Sequence, residues 1–111
     1  MYASIEKKSV PETIKPGLKR RLVHLDTIMT VVIDFENAMN EPDPPHSHPH
    51  EQITYVAEGE LWFIIEEEKY RLQKGDMIVI PAGKPHTVQT LVPNVRLIDS
   101  FSPVREDFLK K

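Results

Sequence analysis

Short runs of β-branched and aromatic residues, separated by turns rich in glycine and proline, repeat along this chain from residue 18 onwards. Runs of four to eight such residues between turn signals are typical of β-strands. Short strands at this regular spacing predict a closed all-β fold, and the tail around 105–109 is predicted to form a short helical turn. The strand-like runs are 21–25, 28–35, 52–57, 60–66, 70–72, 77–80, 86–90 and 95–101.

Residues 1–17 differ from the rest of the chain. They contain Pro11, Pro16 and Gly17 and alternate poorly between apolar and polar positions. Proline cannot donate a backbone hydrogen bond to a sheet, so it is found at edges and turns. We therefore predict an N-terminal arm or edge strand at 1–17, which can also pair with a neighbouring chain. Residues 18–111 are predicted to form a single barrel domain, as suits a chain of 111 residues.

Composition excludes several classes of function. The chain has no cysteine, so a metal site must use nitrogen and oxygen ligands. A net charge of -3, with lysine and arginine scattered along the chain, provides no basic stripe for nucleic acid. No apolar run is long enough to span a membrane, and the N-terminus lacks the apolar core of a signal peptide. These features predict a cytoplasmic protein without nucleic-acid or membrane partners.

Three histidines, His46, His48 and His50, lie within five residues directly after a proline-rich turn. In extended backbone, His46 and His48 point to the same face with Cα atoms about 7 Å apart, so both imidazoles can reach one ion. Gln52 would lie roughly 20 Å from His46 in a continuous strand, which is too far. Pro49 therefore predicts a turn that returns Gln52 beside His48, and it makes His50 a turn residue rather than a ligand.

Two stretches around these histidines resemble the motifs of the cupin superfamily. The first cupin motif is G-x5-H-x-H-x3,4-E-x6-G, and the second is G-x5-P-x-G-x2-H-x3-N. Asn40, Gln52 and Thr90 depart from the motifs, and Gln52 stands where the usual ligand is glutamate. The residues that match are His46, His48, Gly59, Gly75, Pro81, Gly83 and His86.

The cupin resemblance implies a fold and a metal. The fold is a small double-stranded β-helix, also called a jelly-roll barrel. The ligands implied are His46, His48, Gln52 and His86, which would hold one divalent transition metal. Nickel, zinc, iron and manganese all accept nitrogen and oxygen ligands, so the sequence does not rank them.

A glutamine ligand changes the chemistry expected of this site. Three imidazoles and an amide leave the +2 charge of the ion uncompensated, which favours an anionic substrate. The site also lacks an ionised carboxylate among its ligands, so a base must come from elsewhere. Asp99 interrupts an apolar strand and either faces the site or lies at an edge facing water. Arg105 either binds a substrate carboxylate or pairs with Glu106 or Asp107.

The tail 99–109, together with the metal motif, resembles the small pectin-degradation cupins. These are usually dimers that convert unsaturated uronates, the products of pectate and alginate lyases, to linear keto forms. The resemblance implies that Asp99 shuttles protons, Arg105 fixes the uronate carboxylate and Phe101 lines the pocket. It also implies a homodimer, formed by the N-terminal arm or by the apolar strand around Trp62. Two alternatives are a metal-dependent dioxygenase of the quercetinase type and a non-catalytic module that binds a sugar acid or metal.

Overall fold

The computed structural model describes residues 2–109 and is built from antiparallel β-strands. Short 3-10 turns lie at Glu6–Lys8 and Glu106–Phe108, and no helix within residues 2–109 is long and apolar enough to cross a membrane. The all-β prediction and the helical turn in the tail are confirmed. The strands are β1 Glu12–Lys15, β2 Leu18–His24, β3 Met29–Phe35, β4 Glu51–Glu58, β5 Glu60–Ile65, β6 Glu68–Gln73, β7 Met77–Ile80, β8 His86–Thr90 and β9 Val95–Ser102.

Two sheets form the walls of the fold. The six-stranded sheet has the order β1-β2-β3-β9-β4-β7, and the three-stranded sheet has the order β6-β5-β8. Strand β5 buries Leu61 and Phe63, which pack with Val56, Ile80 and Leu97 into the main core cluster. Burial of these apolar side chains between the sheets is the principal stabilising term of the fold.

Strands β4 and β9 carry the polar residues of the interior. Along β9, buried and half-buried positions alternate from Val95 to Phe101, as expected for a strand with one face inside. The antiparallel register places Gln52 opposite Phe101 and Thr54 opposite Asp99. Because these positions share one face, a group of buried polar side chains lies next to the apolar core.

The N-terminal segment contributes β1, which pairs with β2 at the edge of the chain's own sheet. Gly17 allows the tight connection between them, since its φ is +82° and a Cβ there would lie 2.7 Å from Asn37 Nδ2. The division at residue 17 and the pairing of this arm with a neighbour stay predictions.

The exposed apolar side chains of the sheet bear on the predicted homodimer. Trp62 is half-buried, and Lys69 Nζ lies 4.6 Å from its ring centroid. A more exposed apolar surface lies on the outer face of β4 and β7. It consists of Ile53, Tyr55, Met77 and Val79. The homodimer stays a prediction, and this face is a further candidate surface for it.

Candidate metal centre

Three histidines converge at one end of the barrel. Reciprocal backbone hydrogen bonds of 3.0 and 2.9 Å join His46 to His86, so the loop before β4 is held against the start of β8. The His48 carbonyl accepts a 2.8 Å hydrogen bond from the amide of Gly83. Through these contacts the two sequence motifs come together, and one ring nitrogen from each of His46, His48 and His86 lies within 4.8 Å of the others.

The N–H proton of His86 lies on Nδ1, which leaves Nε2 available to a metal. Its Nδ1 lies 2.8 Å from the Lys84 carbonyl, which can only accept, so this nitrogen carries the proton. Its Nε2 is buried and has no hydrogen-bond partner within residues 2–109. A buried polar atom without a partner is costly, and a bound cation would satisfy the lone pair of this one.

Both ring nitrogens of His48 face hydrogen-bond acceptors, but a neutral imidazole has only one N–H proton to donate. Its Nδ1 lies 3.1 Å from the His50 carbonyl, and its Nε2 lies 3.1 Å from Gln52 Oε1. Burial, followed by the charge of Arg105, lowers the pKa of His48 below 6.5, so its ring carries one proton at neutral pH. Only one of the two contacts can then be a hydrogen bond. Neighbouring ligand atoms with bonds of about 2.1 Å to one ion lie roughly 3.0 to 3.4 Å apart, in octahedral or tetrahedral geometry, and a cation between His48 and Gln52 would resolve the conflict.

Gln52 belongs to a buried chain of hydrogen bonds. Its Nε2 donates to Thr54 Oγ1 over 2.9 Å, and the Thr54 hydroxyl donates to Asp99 Oδ1 over 2.6 Å. Because the amide nitrogen is used in this way, Oε1 faces His48. The turn at Pro49 and His50 does return Gln52 beside His48, in the arrangement that the spacing predicts.

A cavity of about 280 Å³ opens beside these side chains. Asp99 and Phe101 are 5% and 3% exposed, so Asp99 faces the interior and is not the water-facing edge aspartate of the alternative interpretation. Every predicted site residue except His48 lines this cavity, and His48 lies behind it in contact with Gln52. Those lining residues are His46, Gln52, His86, Asp99, Phe101 and Arg105.

Comparison with known proteins identifies the fold family. Residues 36–96 match the family model described as Cupin domain, which is more than half of the chain. The chain belongs to the cupin family. The match contains both stretches that carry the histidines, His46 to His48 and His86.

This cupin is similar to proteins of pectin degradation. It is 39% identical over 100 residues to the pectin degradation protein KdgF of Dickeya dadantii (strain 3937), over 88% of this chain and 89% of that protein. The structure of KdgF from Halomonas sp. matches with a TM-score of 0.86 and 34% identity, over 94% and 96% of the two chains. An RmlC-like cupin from Shewanella frigidimarina NCIMB 400 matches with a TM-score of 0.88 and 32% identity, over 97% and 96%. The resemblance stated from the motifs is confirmed.

Burial favours the neutral form of the clustered histidines. Burial is the main cause that lowers the pKa of His86 below 6.5. Desolvation also lowers the pKa of His46, although much of that residue is exposed at the cavity mouth. Because a metal ligand must be a neutral imidazole, these lowered pKa values keep the nitrogens available to slightly acidic pH. Burial raises the pKa of Asp99 to about 6, against the hydrogen bond from Thr54.

Arg105 pairs with Asp107, which is one of the two alternatives made from the sequence, and its binding of a substrate carboxylate stays a prediction. Its guanidinium donates to both carboxylate oxygens of Asp107, over 3.1 and 2.7 Å, and it also lines the cavity. Its Cζ lies 4.2 Å from the ring centroid of Phe108 and 5.3 Å from that of Phe101. This packing holds the arginine at the cavity, where cation and aromatic rings stabilise one another.

Two cavity residues escaped the sequence analysis. Arg20 also lies over the Phe108 ring, with its Cζ 4.1 Å from the ring centroid, and both residues line the cavity. Arg20 has the same parity as Leu18 and Leu22 along β2, so strand parity was a signal that it points inward. Phe108 offered no such signal, because the 3-10 turn that places it has no periodic pattern.

His50 is the histidine of the cluster that should not bind the metal. It contacts His48 through its backbone carbonyl, which any substitution keeps, and its ring centroid lies 5.4 Å from that of His48. Its Nδ1 is buried without a hydrogen-bond partner within residues 2–109, but the ring is not one of the three that converge. His50→Ala should therefore retain one metal ion per chain with unchanged affinity, measured by calorimetric titration of the metal-free protein. His48→Ala is the matched comparison and should bind weakly. Loss of the metal in His50→Ala would instead make His50 a ligand.

Proposed function

We propose that this cupin converts unsaturated uronates to their linear keto forms, with one divalent transition metal held by His46, His48, Gln52 and His86. One observation carries the proposal: a single cavity joins the histidine group, a buried carboxyl group and a guanidinium. The similarity to KdgF, a pectin degradation protein, supports a uronate as the substrate.

Metal and protein have separate tasks in this proposal. When bound, the ion would supply Lewis acidity toward substrate oxygens. The four ligands are all neutral, so the centre keeps a net positive charge that attracts an anion. Phe101 forms an apolar wall at 3% exposure, and with Phe108 it limits water around the sugar ring.

Asp99 is the proposed proton shuttle. Ring opening removes a proton from the anomeric hydroxyl as the ring carbon–oxygen bond breaks, and tautomerisation returns a proton to a carbon of the former double bond. The reaction is an isomerisation, so one group that takes and returns a proton is sufficient. A carboxyl group with a pKa of about 6 can do both near neutral pH.

Arg105 is proposed to bind the uronate carboxylate. Arg105→Gln removes the positive charge and the forked donor while keeping a side chain of similar reach. We expect KM for the uronate to rise about 10- to 100-fold, the range of a lost charge-assisted contact, with a smaller change in kcat. Arg71→Gln is the control, because Arg71 is exposed and pairs with Glu60 away from the cavity. An unchanged KM in Arg105→Gln would assign carboxylate binding to another residue.

The decisive experiment loads the protein with each candidate metal and adds an unsaturated uronate. Loss of the double-bond absorbance, with a linear keto product in the NMR spectrum, is the expected result. Binding of the uronate without loss of absorbance, whichever metal is supplied, would support a non-catalytic binding module instead. Oxygen consumption with an added flavonol, and none with uronates, would support the quercetinase-type dioxygenase.

A further inference from the structure

Thr54 connects the candidate metal ligand Gln52 to Asp99, and it stands at an unspecified position of the first cupin motif. Its side chain is fully buried, at 0% exposure, directly opposite Asp99 in the β4–β9 pairing. It accepts a hydrogen bond from Gln52 Nε2 and donates one to Asp99 Oδ1. A buried threonine with both hydrogen-bonding capacities used has a strictly fixed hydroxyl direction.

The direction of these bonds decides which atom of Gln52 faces the histidines. An amide nitrogen can only donate and an amide oxygen can only accept, so a hydroxyl that offers a lone pair must receive the nitrogen. The single Thr54 proton is used on Asp99, which leaves the lone pair for Gln52. The opposite end of the amide, Oε1, is thereby turned to His48 at 3.1 Å.

We propose that Thr54 is a positioning residue of the metal centre: its hydroxyl turns the Gln52 amide so that the carbonyl oxygen faces the imidazoles, and it ties that ligand to Asp99. The role of Asp99 in this inference rests on the proposed function. The effect on metal binding does not depend on any substrate.

The hydrogen bond from Thr54 to Asp99 also accounts for glutamine, rather than glutamate, at position 52. A carboxylate there would meet the Thr54 oxygen with no proton between them, because the Thr54 proton is used on Asp99. An amide supplies the missing proton. The Thr54–Asp99 pair therefore selects a neutral ligand and, through it, the positive charge of the centre.

Thr54→Val tests the inference because it removes the hydroxyl and nearly keeps the shape. We expect its affinity for Zn²⁺ to fall about 10- to 100-fold by calorimetry, the range for lost partners of a metal ligand. The visible spectrum of the Co²⁺-loaded protein should change as well. Thr54→Ser keeps the hydroxyl and should restore both. The control is Thr90→Val, which removes an equally buried hydroxyl that donates to the Asn37 carbonyl instead.

Unchanged Zn²⁺ affinity and an unchanged Co²⁺ spectrum in Thr54→Val would overturn the inference. If that variant does not fold, the unmodified protein gives the answer: the side-chain amide protons of Gln52 should exchange with solvent far more slowly than those of exposed Gln73. Equal exchange rates would overturn the inference too. Absence of uronate turnover would contradict the proposed function. The Zn²⁺ affinity, the Co²⁺ spectrum and the amide exchange rates would still test the role of Thr54.

Reversing the chain of bonds provides a second test. Gln52→Glu alone sets two acceptors against each other, whereas adding Asp99→Asn lets the new amide donate to Thr54 and Thr54 donate to the new carboxylate. We measure urea unfolding of the metal-free protein at pH 8. Adding Asp99→Asn to Gln52→Glu should raise the free energy of unfolding by more than Asp99→Asn raises it in the wild-type protein. The same recovery in a Thr54→Val background would contradict the inference, because charge repulsion alone would then account for it.

Discussion

His86→Ala should abolish metal binding and, with it, turnover. His86 offers the buried Nε2 that lacks a partner within residues 2–109, and its Nδ1 proton is fixed by the Lys84 carbonyl. Alanine removes this nitrogen and leaves at most three of the four proposed ligands. Loss of a residue that hydrogen-bonds to a metal ligand lowers metal affinity about 10- to 100-fold. Loss of the ligand itself should therefore lower it at least about 100-fold.

Calorimetry and metal analysis of the purified protein measure this effect, and His24→Ala is the control. His24 is exposed and lies on β2, away from the cavity, so its loss should leave one metal ion per chain. Supplying excess metal should restore part of the turnover of His86→Ala if affinity alone is lost. Binding of one ion by His86→Ala at wild-type affinity would place the centre elsewhere.

Short-range spacing predicts the histidine group well. His46 and His48 share a face by strand parity, and Pro49 predicts the turn that brings Gln52 beside them. These two statements need only a few neighbouring residues, which is why they can be made from the sequence. His86 lies within the second motif, but its approach to His46 depends on a backbone bridge between distant parts of the chain. Spacing does not show that bridge, and only the cupin resemblance implied it.

Long-range register explains what the sequence could not supply. Thr54 and Asp99 are separated by 45 residues, and they meet because β4 and β9 pair in one register. A shift of one residue would turn Asp99 outward, so parity alone left its direction open. Phe108 was missed for another reason, because the 3-10 turn that places it has no periodic pattern. Its contact with Arg20 joins opposite ends of the chain at the cavity.

Asp99→Asn should remove most of the turnover while leaving the metal bound. The amide keeps the size of the side chain and can still accept from Thr54, but it cannot take up a proton. General acid–base catalysis contributes about 10²- to 10⁴-fold, and kcat should fall within that range. Asp26→Asn, a change of the same charge at an exposed position, should have no effect on kcat. Wild-type turnover in Asp99→Asn would remove the proton shuttle from the mechanism.

The same variant should stabilise the metal-free protein at neutral pH. Burial raises the pKa of Asp99 from 3.8 to about 6, so the folded protein binds this proton more tightly than the unfolded chain does. The stability gained from protonation is fully present below pH 3.8 and is lost as the pH rises through about 6. Above that pH the buried carboxylate costs roughly 3 kcal/mol relative to its protonated form.

Asp99→Asn has no such titration, so its advantage in urea unfolding should be largest at pH 8 and should shrink toward pH 4. Comparing wild type and variant at each pH cancels the opposing titration of the histidines. A bound cation should reduce the advantage, because positive charge favours the carboxylate. An equal difference at both pH values would mean that Asp99 is not desolvated in solution. A gain in stability at pH 8 that shrinks toward pH 4 is expected if Asp99 lowers the stability of the fold and is kept for proton transfer in the cavity.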